Sequence, residues 1–189
     1  MALPAGPAIT YPDTYRTLVS LTHHLTPESN VLSQSDLNLY YQKIERNVKM
    51  DFPKTSPMDT IKPTGIHKTF GAKWMNTVEL DAHSLVAGLD TWSWAMDTFR
   101  EKNFSSGLTG IDTPLADARQ TSVGFFMEDD IQIFPSLILN LGGRIDYMKT
   151  KSDALYNWVI PPLPAMVPAL MRDAQSSHDL SWNAHAGMT

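Results

Sequence analysis

Apolar and polar residues alternate with a period of two along most of the chain, which predicts β-strands whose successive side chains point to opposite faces. Seven segments carry the pattern: 17–25, 31–46, 70–80, 85–96, 121–133, 137–147 and 179–188. In the second, Leu37, Leu39 and Tyr41 stand opposite Gln34, Asp36, Asn38, Tyr40 and Gln42. In the third and fourth, Phe70, Ala72, Trp74, Val78, Leu80, Leu85, Ala87 and Leu89 oppose Gly71, Lys73, Met75, Thr77, Gly88, Asp90, Trp92 and Trp94. The fifth and sixth set Val123, Phe125, Met127, Ile131, Leu139, Leu141, Ile145 and Tyr147 against Gly124, Glu128, Asp130, Asn140, Gly142, Arg144 and Asp146. The last turns Leu180, Trp182, Ala184 and Met188 one way and Asn183 and His185 the other.

The connections alternate in length. Residues 26–30, 81–84 and 134–136 are short and rich in Pro, Ser and Asp, as hairpin turns require. Residues 49–68, 97–119 and 149–178 predict loops of roughly 20 to 30 residues, far above the usual ~4 to 6. Short turns on one side and long loops on the other are the layout of a transmembrane β-barrel, with periplasmic turns and external loops. Pairing Asp81 with Ser84 would put Leu80 opposite Leu85 and Lys73 opposite Trp92. Pairing Ile133 with Leu137 would put Arg144 opposite Phe126, diagonal to Glu128. Pro161, Pro162, Pro164 and Pro168 keep 155–170 from being a strand interior and predict an ordered external loop.

Bulk properties add little to this picture. A mean hydropathy of -0.22 suits a soluble protein, but also a barrel that averages a lipid-facing and a lumen-facing set. The net charge of -5 gives no footing for a nucleic-acid binder. No stretch approaches the ~20 apolar residues of a membrane helix, and the absence of Cys removes disulfides and thiolate metal sites. The first residues lack the basic segment and apolar core of an export signal, so an exported protein would have its natural start upstream of Met1.

The text TSVGFFMEDDIQIFPSLILNLGGRIDY over 121–147 resembles a hairpin of TonB-dependent receptors: Phe125 and Phe126, then Glu128 and Asp129, a short turn, and Gly142, Gly143, Arg144 and Asp146. HSLVAGLD over 83–90 and DLSWNAHAGMT over 179–189 are similar to neighbouring units of that family. The resemblance implies an all-β, antiparallel barrel segment over 15–189, with 1–14 as a poorly defined lead-in. It further implies a Gram-negative outer-membrane location, lipid contact, a plug domain and a TonB partner absent from this stretch, and uptake of an iron chelate such as an iron siderophore, haem, cobalamin or a metal ion. The chain resembles roughly the middle third of such a barrel and is expected to be a fragment that stops within a strand. Rival readings are a soluble, lipocalin-like ligand carrier and a complete small barrel acting as an adhesin or passive pore.

The lumen-facing candidates are Lys73, Asp90, Trp92, Trp94, Glu128, Arg144 and Asp146. They form either a polar lining that meets the plug or a ligand, or ion pairs that stiffen the wall. Trp92 and Trp94 offer flat rings on which a ligand could stack. Met50, Met58 and His67 in one expected loop, and Met166, Met171 and His178 in another, suggest soft-metal ligands, but none has tight ligand spacing. Trp74, Tyr41, Tyr147 and Trp182 are expected girdle residues at the headgroup level. Neither a nucleophile motif nor a phosphate loop is present, and adjacent Glu128, Asp129 and Asp130 diverge across the pleat. No catalysis and no cofactor are expected.

Overall fold

A computed structural model of the chain describes residues 6–29, 31–157 and 167–189. Its strands in chain order are β1 (Ala8–Leu25), β2 (Leu32–Asp51), β3 (Met58–Leu80), β4 (His83–Phe104), β5 (Thr109–Asp112), β6 (Ala118–Phe134), β7 (Leu137–Ser152), β8 (Leu155–Tyr156), β9 (Leu170–Arg172) and β10 (Gln175–Met188). One sheet runs β1-β2-β3-β4-β6-β7-β10, antiparallel throughout, and β5 pairs with the upper part of β4. β8 and β9 form a separate two-stranded ladder. The sheet is open, with β1 and β10 at its edges.

The seven expected strands are all present, and they are longer than alternation indicates. β3 and β4 have 23 and 22 residues. At ~3.3 Å per residue such strands reach ~70 Å, and even tilted by ~45° they overshoot a ~30 Å hydrocarbon layer. Their upper ends use residues that the sequence pattern assigns to loops: 49–51 belong to β2, 58–68 to β3 and 97–104 to β4. The lead-in is likewise shorter than expected, because Ala8 already pairs with Asp51. Above the membrane both faces meet water, and polar residues such as Lys62, Lys68, Asp97 and Glu101 erase the period-two signal. Cross-strand ion pairs connect these ends instead, Lys62 to Glu101 at 2.9 Å and Lys68 to Asp97 at 3.0 Å.

One register differs from expectation. Leu80 pairs with His83 and Val78 with Leu85, so Lys73 stands opposite Asp90 and Trp92 opposite Gly71. The turn is Asp81–Ala82, not Ala82–His83. Asp81 has φ 46°, a left-handed conformation that Asp tolerates far better than Ala. Moving the turn by one residue slides the register by two, so every side chain keeps its face. The β6–β7 register holds as expected, with Phe126 opposite Arg144.

The two faces divide as the alternation predicts. Leu89, Phe125, Val123 and Ile145 are 45–48% exposed on the outer face in mid-wall. In water an apolar surface of that extent would be strongly unfavourable, but against lipid chains it is matched. Of the proline-rich loop, 158–166 lie outside the described residues, including Pro161, Pro162 and Pro164. Its base is closed by the β8–β9 pair, and Asn157 N–H donates to Ala169 O at 3.1 Å.

Candidate functional site

The inner wall of β3, β4, β6 and β7 brings four of the expected residues together, Lys73, Asp90, Arg144 and Asp146. Register places Asp90 opposite Gly124 and Gly124 opposite Asp146, so both carboxylates line one row across three strands. Arg144 lies one step below. Its guanidinium forks onto Asp146, with Nε to Oδ2 at 2.7 Å and Nη2 to Oδ1 at 2.6 Å, and its Nη2 lies 3.8 Å from Asp90. Two carboxylates and one guanidinium thus share the space over Gly124. Lys73 pairs with Asp90 in register and places its Nζ 5.3 Å from the Phe126 ring, while the Arg144 Cζ is 5.9 Å from the same ring. Each such cation–ring contact contributes about 0.5–1 kcal/mol where water reaches it.

Glycines create this arrangement. A Cβ on Gly124 would collide with the Asp146 carboxylate and the Arg144 guanidinium. On Gly88 it would enter the Phe126 ring and come within 2.6 Å of the Trp74 carbonyl oxygen. Tyr40 lies over Gly71 and His185 over Gly142 in the same way, each opposite its glycine in register. Large inner side chains therefore lie flat on the neighbouring strand instead of projecting. The wall is smooth, and its charges lie within it.

Glu128 is not Arg144's partner. The guanidinium turns toward Gly124, away from Glu128, which accepts from Asn140 Nδ2 at 2.7 Å and has His185 Nε2 at 3.9 Å. Trp92 stands between Gly71 and Ser122, beside the charged row. Trp94 is separate: it pairs with Thr69 and packs its ring 5.6 Å from His67, tilted by 38°. Phe126, His185 and Asn140 complete the lining without standing among the expected lumen-facing residues, and His67, expected in a loop, joins them on β3. A glycine on the inner face of one strand, opposite a bulky residue on the next, is the signal that finds the first two.

A second cluster lies on the upper ends of the strands. Asp112 on β5 receives Arg100 Nε at 2.8 Å and Nη2 at 2.6 Å, with Lys102 Nζ also at 2.6 Å. Its side chain is only 9% exposed. Burial pushes the Asp112 carboxyl up, but the hydrogen bonds from Arg100 and Lys102 outweigh it and hold the group below the usual aspartate range. Glu101 is lowered as well, chiefly by its hydrogen bond from Lys62. Arg100 and Lys102 thereby fasten β5 to β4.

Among the described residues no three His, Asp or Glu side chains converge to hold a metal ion. His67 faces Met96 across the β3–β4 ladder, Met50 faces Ile61, and Met58 faces Phe104. His178 faces Lys149 and has its ring 6.4 Å from Tyr147, Met171 lies on β9, and Met166 is outside the described residues.

Comparison with known proteins accounts for this wall. No curated protein matches the sequence. Among solved structures, the chain is similar to the copper transporter OprC, with a TM-score of 0.73 and 18% identity over 97% of this chain. The match spans 30% of that longer chain. The family model described as "TonB dependent receptor-like, beta-barrel" matches residues 4–187. The chain therefore belongs to the TonB-dependent receptor β-barrel family, whose members are built into the outer membrane of Gram-negative bacteria.

Proposed function

We propose that the chain forms part of the wall of a receptor that imports a scarce solute, with TonB supplying energy through a plug domain. The observation that carries this reading is the pairing of faces: an apolar outer band against lipid and, behind it, a smooth inner wall carrying Lys73, Asp90, Arg144 and Asp146. A lipocalin-like carrier would present the reverse, with apolar residues inward. The solute classes that suit the family are an iron chelate, haem, cobalamin or a metal ion, and the copper transporter among its structural relatives belongs to the last. The upper cluster of Arg100, Lys102 and Asp112 holds the external rim in shape above the lumen, where ligand capture would occur. No catalysis is assigned to the wall.

The test is uptake by cells whose only difference is the full-length receptor. Labelled ferric siderophore, haem, cobalamin and copper are supplied separately, with TonB present or deleted. Receptor-dependent and TonB-dependent accumulation of one of them is expected. Accumulation that persists without TonB would indicate a passive pore, and no receptor-dependent accumulation of any of the four would overturn the proposal.

A further inference from the structure

Tyr40 fills the space over Gly71, Phe126 that over Gly88, Arg144 with Asp146 that over Gly124, and His185 that over Gly142. Gly65, higher on the inner face of β3, is open. A Cβ there would meet only His67 Nε2, at an ordinary 3.8 Å. Register sets Arg46 of β2 on one side of this notch and Thr98 of β4 on the other. Arg46 is exposed and, among the described residues, enters no ion pair. Arg16 is its diagonal neighbour on β1 and donates to Gln42 Oε1 at 2.8 Å, so it too has no carboxylate.

Charge is divided unequally between the two faces at this level. On the outer face cations are matched by acids: Lys43 by Glu45 at 3.1 Å, Lys62 by Glu101 at 2.9 Å and Lys68 by Asp97 at 3.0 Å. On the inner faces of β1, β2 and β3, from the Asn38–Lys73 row upward, register places Arg16, Arg46 and Lys73 and no acid. The upper part of β4 adds Arg100 and Lys102, which share the single carboxylate of Asp112. Asp179, a further acid on the upper inner face, lies on β10, four strands from β3. Asp59 at the rim accepts from Ser105 Oγ at 2.8 Å. The chain as a whole carries a net charge of -5, so the positive inner face is a matter of placement and not of composition.

We infer that the notch over Gly65 receives an anionic group of the imported solute, a carboxylate or ionised phenolate oxygen. Arg46 grips it, because a guanidinium offers two parallel N–H donors to a pair of oxygens. Arg16 adds charge beside it, and the unbalanced cations of the upper wall draw the anion inward. His67 borders the notch, and its ring stands 5.6 Å from that of Trp94, which gives the flat part of the solute a surface below the charged group. The inference rests on the import reading and narrows its solutes to ferric chelates with ionised oxygens and to haem with its carboxylates. A bare metal cation is repelled here, and an uncharged solute gains nothing from Arg46.

The test uses the purified full-length receptor in neutral detergent at low salt. Binding of labelled ferric citrate, a ferric tris-catecholate and haem is measured by equilibrium dialysis beside an uncharged ferric trihydroxamate, cobalamin and Cu2+. Uptake of the same six probes is measured in cells with TonB present or deleted. Saturable binding of at least one anion is expected, and of none of the other three. Arg46→Gln should weaken it about tenfold, and Gly65→Leu, which fills the notch without changing charge, should weaken it too. Lys43→Gln makes the same charge change on the outer face and should leave it unaltered. Heat-modifiable migration in gels checks that each variant is folded. Binding or import of the uncharged or cationic probes alone would overturn the anion site while leaving the import reading in place, as would anion binding unchanged in folded Arg46→Gln and Gly65→Leu. Anion binding that Arg46→Gln weakens, without TonB-dependent uptake, would uphold the site and overturn import. Binding of none of the six would overturn both.

Discussion

The two faces of the same strands obey different rules. On the outer face, Leu89, Val123, Phe125 and Ile145 stand beside one another and are matched by a solvent of acyl chains, so the pattern matters more than the fit. On the inner face, Phe126 occupies the space over Gly88, and Arg144 with Asp146 the space over Gly124. There each side chain depends on a particular glycine of a particular neighbour. An outer residue needs only the right chemistry, whereas an inner one needs the right partner.

The largest expected effect probes the outer rule. Phe125→Arg in mid-wall should destabilise the folded receptor by about 2–4 kcal/mol, measured as a lower urea midpoint for unfolding in lipid vesicles. Asn183→Arg, on the inner face of β10, should cost far less. Equal costs would mean that the faces are assigned wrongly.

The next tests fit directly. Gly88→Val puts atoms into the Phe126 ring and toward the Trp74 carbonyl, a crowding expected to cost about 1–3 kcal/mol. Gly143→Ala faces outward, and its nearest contact would be an ordinary 3.5 Å from the Asn183 carbonyl oxygen. It should shift the same midpoint little. If the two glycines respond alike, the inner wall is not held by cross-strand fit.

Smaller effects lie at the rim and within the charged row. The Asp112 carboxyl is depressed in the folded state, so its contribution is fully present above the unfolded value of about 3.9. It is lost as pH falls through the lower folded value. Amide exchange at Thr109, Gly110, Ile111 and Asp112 should therefore be protected at neutral pH and accelerate, relative to β6, only in strong acid; Asp112→Asn should remove the difference. Arg144→Lys replaces a two-pronged contact with a single ammonium in a wet lumen and should cost at most about 1 kcal/mol. Its unfolding midpoint, set beside that of Asp146→Asn, measures the pairing by itself.

Much of the fold was legible because one face of each strand meets lipid and the other does not. That asymmetry forces alternation, and alternation located the seven long strands of the main sheet and set Lys73, Asp90, Glu128, Arg144 and Asp146 on one shared face. It failed where its cause disappears. Residues 58–68 and 97–104 continue the strands above the membrane, where water lies on both sides and no periodic pattern is needed. The candidate wall site is legible as a set of residues but not as a set of contacts. A turn at Ala82–His83 would oppose Lys73 to Trp92, whereas the turn at Asp81–Ala82 opposes it to Asp90, and Arg144, diagonal to Glu128, instead grips Asp146 in the space that Gly124 provides.

Sequence alone thus determined facing, because a period of two survives any even slip of register. Tertiary structure decided partnership. Which residue faces Lys73 depends on where Asp81 turns the chain, and where the Arg144–Asp146 pair can lie depends on the glycine that β6 sets beside it. A backbone pattern fixes the direction of a side chain locally, but contact between strands is settled only when the whole ladder closes in one register.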